Sequence, residues 1–210
     1  MRRARILFVS FPYSVHAGRW TSLLRGTDWD VHVFPSQRNN HLHESFDHLT
    51  FWPVPDVAPV LNGQENVRLA SLPGGSQLAA GEVGLAEYLA AVIDEVGFDI
   101  VHSLEFQHAG YLTSMALKNV SGPRPVWIAT NYGADIVLFA KDKAHEHRVR
   151  EVLAGCDLYS AECERDVRLA RCLGFPGKVF TTFPTAAASI YRLLSASAGQ
   201  VRDRSAASLR

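Results

Sequence analysis

Residues Ala4 to Ser10 form an almost unbroken apolar and β-branched run, Ala-Arg-Ile-Leu-Phe-Val-Ser, that stops in a proline-containing loop. Such a strand is apolar toward both faces, and burial on both faces belongs to parallel sheets covered by helices. Ala17 to Arg25 then carries Trp20, Leu23 and Leu24 at helical spacing, and Asp30 to Phe34 alternates into a second strand. One strand–helix–strand unit is complete by residue 34, the minimum repeat of an α/β fold.

The repeat continues along the chain. Leu49–Pro53 and Asn66–Leu72 read as short strands around an irregular region rich in His, Pro and Asn. Glu82–Val96 reads as a helix with Leu85, Leu89, Val92, Ile93 and Val96 on one stripe and Gly97 as its stop. Strands are expected at Asp99–Ser103, Pro125–Thr130, Asp157–Ser160 and Lys178–Thr181, and helices at Ala109–Lys118, Lys143–Leu153 and Glu164–Leu173. The expected fold is α/β, a doubly wound parallel sheet (Rossmann-like), spanning residues 1–184. Ligands of such sheets bind beyond the carboxyl ends of the strands. Here those ends are Phe11–Gly18, His102–His108, Thr130–Asp135 and Ala161–Glu164.

Composition removes several classes. Lys plus Arg number 21 and Asp plus Glu 21, with no basic cluster to serve a nucleic acid. Ile6–Val9 falls far short of the ~20 residues of a spanning helix, and Pro12-Tyr13 stands where a secretory cleavage site needs small residues. Cys156, Cys163 and Cys172 include no C-x-x-C pair; they are expected as reduced, half-buried helix residues of a cytosolic protein. The expected address is cytoplasmic, with a peripheral membrane position as the alternative.

The strand ends narrow the chemistry further. Ser10 to Gly18 holds a single glycine, whereas a dinucleotide loop needs G-x-G-x-x-G to bring the backbone against a pyrophosphate. Gly177-Lys178 leads into a strand and is followed by Val179, so it is no P-loop. His41-Leu42-His43, with Glu44, Asp47 and His48 nearby, is the most metal-like segment, since alternating histidines on a strand share a face. No separate ligand set completes it, and neither a metal nor a cofactor is expected.

Thr130-Asn131-Tyr132-Gly133-Ala134-Asp135 puts polar side chains and a turn-permitting glycine where a strand ends. Asp135 either caps the next helical stretch, worth about 1 kcal/mol, or points into the cleft to hold sugar hydroxyls; it is the one catalytic candidate. His102 and Glu105, read as lying just past a strand end, either brace their loop as a hydrogen-bonded pair or serve an acceptor. His16 and Arg19 either contact an anionic group or are plain surface residues.

In order and spacing, these segments resemble the N-terminal domain of GT-B glycosyltransferases of the retaining family 4 type, over residues 4–184. The matching parts begin with Ile6–Ser10, Pro12-Tyr13-Ser14, His16 and Arg19-Trp20. Asp99-Ile100-Val101-His102 is similar to the family's "P-D-hydrophobic-hydrophobic-H" strand. Tyr132–Asp135 stands in the place of its "H-G-x-D" or "W-G-S-D" turn. Asp157–Glu162, with Arg165-Asp166-Val167 and Leu173-Gly174, is similar to its "A-D-x-hydrophobic-x-x-S-E…L-G" stretch. The resemblance implies transfer of a sugar from a nucleotide sugar to an acceptor in a cleft between two Rossmann-like domains. This half would shape the acceptor side through His16, Arg19, His102, Glu105, Tyr132, Asp135 and Glu162. It further implies front-face transfer assisted by the departing diphosphate, with no protein nucleophile. Tyr132 replaces the family's histidine, which removes the usual acid–base group there.

No Glu-x7-Glu motif of a second, donor-binding domain follows. Ala, Ser and Arg dominate residues 185–210, which read as a tail without sustained periodicity. A shift of reading frame near Thr185 is expected to account for it: suitable codons for Thr185–Tyr191, read one base out of register, encode Gly-Gly-Gly-Ile-Asp-Leu, the family's continuation. The chain alone is then expected to bind a sugar or glycan acceptor, to hold nucleotide sugar weakly if at all, and to transfer little. A separate C-terminal domain is the expected partner. The alternatives are a non-catalytic glycan-binding or docking module and a metal-dependent hydrolase built on His41 and His43.

Overall fold

Alternate residues of the opening strand enter opposite apolar layers. Ile6 and Phe8 pack into one and Leu7 and Val9 into the other, all four fully buried. The computed structural model describes residues 2–74, 81–133 and 135–182. Its strands are β1 (Ala4–Ser10), β2 (Trp29–Pro35), β3 (Leu49–Phe51), β4 (Val67–Leu69), β5 (Ile100–Leu104), β6 (Val126–Thr130), β7 (Leu158–Ala161) and β8 (Lys178–Thr182). Its α-helices are α1 (Val15–Ser22), α2 (Gly81–Val96), α3 (Tyr111–Leu117), α4 (Lys143–Gly155) and α5 (Glu164–Cys172).

All eight strands join one sheet in the order β4-β3-β2-β1-β5-β6-β7-β8, and every pairing is parallel. The protein is therefore the expected doubly wound α/β sheet. Strand order reverses between β1 and β5, whose register runs from Ile6 opposite Ile100 to Val9 opposite Ser103. Chains leaving these two neighbours diverge to opposite faces, and the gap above their carboxyl ends is where such sheets open a crevice.

The helices differ from the sequence expectation mainly at their ends. α1 starts two residues earlier than its apolar spacing suggests because Ser14 caps it, the hydroxyl accepting from Ala17 N at 3.3 Å. Within it Gly18 lies against the loop at Ser45, and a Cβ there would overlap Ser45 Oγ. α3 is preceded by one π-helical turn, Phe106–Gly110, which the periodicity did not announce. The cysteines are all free; Cys156 is buried just after α4, Cys163 half-buried just before α5, and only Cys172 lies in a helix, where it is exposed. The expectation of three helix cysteines is corrected accordingly. The 185–210 tail lies outside the described residues.

The link between β2 and β3 holds its course through Asn40. That side chain is fully buried, accepts from Val54 N at 2.8 Å and donates to Val54 O at 2.8 Å. One amide thereby replaces the hydrogen bonds a helix would supply to this segment.

Candidate functional site

The crevice at the switch point is a cleft of about 540 Å³. β1 and α1 contribute Ser10, Phe11, Ser14 and His16 to one wall; the segments after β5, β6 and β7 contribute Glu105, His108, Tyr132, Gly133, Asp135 and Glu162 to the other. Three carboxylates converge there, each from a different strand end.

Glu105 has φ 81° and ψ 158°, a region nearly reserved for glycine. What holds it is its side chain: the carboxylate accepts from His108 N at 3.0 Å and also from Ala109 N, the first free amides of the π turn. Its own N–H donates to Thr130 O at 3.0 Å. A strained residue fixed from both sides thus aims the turn that carries His108.

Asp135 does not cap a helix. Its Oδ2 accepts from Tyr132 N at 2.9 Å and from Phe106 N at 3.1 Å, which stitches the β6 end to the β5 end. Both bonds converge on one oxygen, so Oδ1 carries no protein hydrogen bond among the described residues. Burial raises its pKa, and despite the opposing amide bond from Tyr132 the neighbouring charges of Glu105 and Glu162 help push it up to about 7. Near neutral pH this carboxyl is therefore both acid and base.

Glu162 is exposed and accepts from Gly133 N at 2.9 Å. Gly133 has φ 43°, so the turn after Tyr132 takes a left-handed residue where the family-like motif has its glycine. Tyr132 is mostly enclosed; burial raises the pKa of its phenol, which remains neutral, and its hydroxyl has no hydrogen-bond partner among the described residues. The His16 ring lies 6.3 Å from it, exposed at the cleft mouth.

Two expected residues stand elsewhere. His102 lies within β5, not past its end, and is fully buried, so it reaches no ligand directly. Its Nε2 meets Thr130 Oγ1 at 2.7 Å and Trp20 packs edge-on at 5.0 Å. Burial pushes its pKa down to about 3, leaving a neutral core imidazole. It does not pair with Glu105, whose histidine neighbour is His108 at 3.6 Å. Arg19 is exposed on α1 and does not line the cleft. The 41–48 histidines are engaged separately: His41 Nε2 with Asn62 at 3.1 Å and His43 Nδ1 with Ser45 Oγ at 2.9 Å. Among the described residues no three His, Cys, Asp or Glu side chains gather to hold a metal ion.

Sequence reasoning missed Phe11, Gln107, His108 and Phe139. His108 and Gln107 fall in a segment the strand pattern flagged, but only the π turn brings them to the wall. Nothing local in the sequence announces that turn, because its cap is a glutamate in a backbone region glutamate rarely adopts.

One family model and one solved structure agree with this architecture. A family model described as "Glycosyl transferase 4-like" matches residues 5–162. A solved chain titled as sucrose-phosphate synthase from Thermosynechococcus elongatus superposes with a TM-score of 0.60 at 13% identity, covering 94% of this chain and 98% of that one. A Listeria monocytogenes protein described as a UDP-N-acetylglucosamine 2-epimerase gives 0.49 at 10% identity, covering 83% and 43%. No curated protein sequence matches.

Proposed function

The chain belongs to the glycosyl transferase 4-like family, and from that premise we propose that residues 1–184 are the acceptor-side domain of an enzyme moving a sugar from a nucleotide sugar to an acceptor. The observation that carries the reading is Asp135. It stands at the switch-point cleft with one oxygen anchored by two backbone amides and the other without a protein partner among the described residues. A carboxylate held in this way accepts a hydrogen bond from a hydroxyl without rearranging, which is how a ligand rich in hydroxyls is oriented.

Glu162 on the rim and His16 at the mouth offer further polar contacts. Phe11 and Phe139 supply the apolar surface on which a sugar ring packs. Asp135 is assigned to positioning the acceptor hydroxyl. The departing diphosphate takes the hydroxyl proton, so the chain supplies no nucleophile. His102 supports the cleft by tying β5 to β6, and Arg19 remains a candidate for a contact outside the cleft. The donor is assigned to a second Rossmann-like domain, on the same polypeptide or another chain. No helix among the described residues is long and apolar enough to cross a membrane; a cytoplasmic, at most peripheral, position is part of the proposal.

Amide NMR of the 210-residue protein with monosaccharides tests the cleft: saturable shifts at Gly133 and Glu162 are expected. Turnover of nucleotide sugars by the same preparation should be close to background. Robust turnover would overturn the division of labour between two domains.

A further inference from the structure

The switch-point cleft is acidic, and its acidity meets no fixed positive charge. Glu105, Asp135 and Glu162 line it with His16 and His108, and among the described residues neither Lys nor Arg does. None of the three carboxylates pairs with a Lys or Arg among the described residues; the histidine nearest them is His108, whose Nδ1 stands 3.6 Å from Glu105. Elsewhere the chain behaves otherwise. Asp166, the other buried acid among the described residues, has Arg165 at 2.8 Å. Asp30, Asp47, Asp99 and Asp157 each face an arginine at 2.8 to 3.8 Å.

The three cleft carboxylates are also neighbours. Tyr132 N and Gly133 N, successive amides of one turn, donate to Asp135 Oδ2 and Glu162 Oε2 at 2.9 Å each. Phe106 N, next to Glu105 along the chain, donates to the same Asp135 oxygen at 3.1 Å. Backbone amides fix these groups without neutralising them. After burial itself, the charges of Glu105 and Glu162 raise the Asp135 pKa despite the amide bonds, as like charges in reach of one another must.

An independent feature of the same cleft calls for an occupant. Ser10 Oγ, 1% exposed at the end of β1, lines it and has no hydrogen-bond partner among the described residues. An orphaned buried hydroxyl is costly and needs an explanation. A divalent metal ion does not fit: it needs about six oxygens closing on one point at about 2.0–2.6 Å. Among the described residues no three His, Cys, Asp or Glu side chains gather in that way. An ammonium group donates in three directions at hydrogen-bond length, which suits carboxylates held apart by the backbone. A cleft of about 540 Å³ holds such a group on a body the size of a sugar ring.

We propose, resting on the acceptor-site reading above, that the acceptor is an amino sugar or aminocyclitol whose protonated primary amine sits between Asp135 and Glu162. The Ser10 hydroxyl bonds a hydroxyl of the same molecule. Selection then comes from charge: a neutral sugar leaves the carboxylates repelling one another, and an ammonium group answers them.

Amide NMR and titration calorimetry on the 210-residue protein at neutral pH, with glucose, glucosamine and methylammonium as probes, test it. Glucosamine should give saturable shifts at Gly133 and Glu162 and bind about tenfold tighter than glucose, the weight of one charge-assisted hydrogen bond. The difference should shrink as salt is added. Glu162→Gln, which keeps the bond from Gly133 N and removes the charge, should abolish most of the preference. Glu87→Gln, at an exposed position on α2 that does not line the cleft, should leave it whole. Circular dichroism establishes that both variants fold. A preference that survives Glu162→Gln undiminished, or falls equally with Glu87→Gln, overturns the ammonium site. Glucose shifts at Gly133 with no preference for glucosamine sink the amine and leave the acceptor cleft standing. Methylammonium binding as tightly as glucosamine, with no response to glucose, does the reverse. Silence toward all three probes overturns both.

Discussion

The two ends of the sheet answer their charges in different ways. At the amino ends a cavity of about 530 Å³ is lined by Arg3, Arg25, Asp30, Asp47, His48 and Arg68. There most of the charged side chains meet in pairs: Arg25 faces Asp47 at 3.3 Å and Arg68 faces Asp30 at 3.8 Å. At the carboxyl ends Glu105, Asp135 and Glu162 are met by backbone amides instead, and Glu105 occupies a region of backbone space that side chains avoid. Side-chain pairs of this kind answer charge with charge. Asp135 and Glu162, each anchored on one oxygen by the backbone, keep a fixed direction and a second oxygen with no hydrogen bond among the described residues. Strain at Glu105 and the raised pKa of Asp135 meet at the proposed acceptor cleft, and ion pairs gather at the opposite end.

The largest effect should come from breaking the strained corner. Glu105→Ala loses the carboxylate bonds to the π turn and keeps the unfavourable φ, whereas Glu105→Gly loses the bonds and relieves the strain. The alanine variant is expected to be the less stable by about 1–3 kcal/mol, the reverse of the order for an ordinary extended residue. Urea unfolding of both measures it, and equal stabilities would mean that Glu105 is not strained.

Asp135→Asn comes next. Asparagine still accepts the two amide bonds but carries no charge, so affinity for a hydroxyl ligand should fall about tenfold, or about 1.4 kcal/mol. Stability should move the other way. The folded pKa of Asp135 lies above its ordinary value of 3.8, at about 7. Its stabilising contribution is therefore complete below pH 3.8 and is lost as pH rises through 7. The Tm of the asparagine variant relative to the parent should accordingly be higher at pH 8 than at pH 5. A difference independent of pH would place the carboxyl in water.

At the opposite end Arg25→Gln should cost less than about 1 kcal/mol, and less still in high salt, because the pair with Asp47 is partly exposed. Ligand shifts at Gly133 should be unchanged. Any loss of binding from this substitution would erase the distinction between the two ends.

Much of the fold was legible because parallel strands buried on both faces announce themselves as short apolar runs. β1, β5 and β6 lie where composition put them, and the strand ends pointed to the cleft. Residues of the cleft wall were legible only where the motif was local. Tyr132, Gly133 and Asp135 sit on one turn, and Glu162 reaches that turn from the next strand end. His102 was misplaced because a strand's last polar residue looks the same in sequence whether it faces the crevice or the core; here Trp20, Phe8 and Thr130 enclose it. His108 and Gln107 were invisible, since they depend on a π turn.

The sequence by itself determined the layers, the parallel sheet and the family to which the chain belongs, because hydrophobic period and turn residues act locally along the chain. Tertiary structure alone decided which polar groups are answered by backbone and which by side chains. That outcome depends on which strand ends become neighbours, and it sets where a carboxylate retains a free oxygen and where a buried hydroxyl waits for a partner.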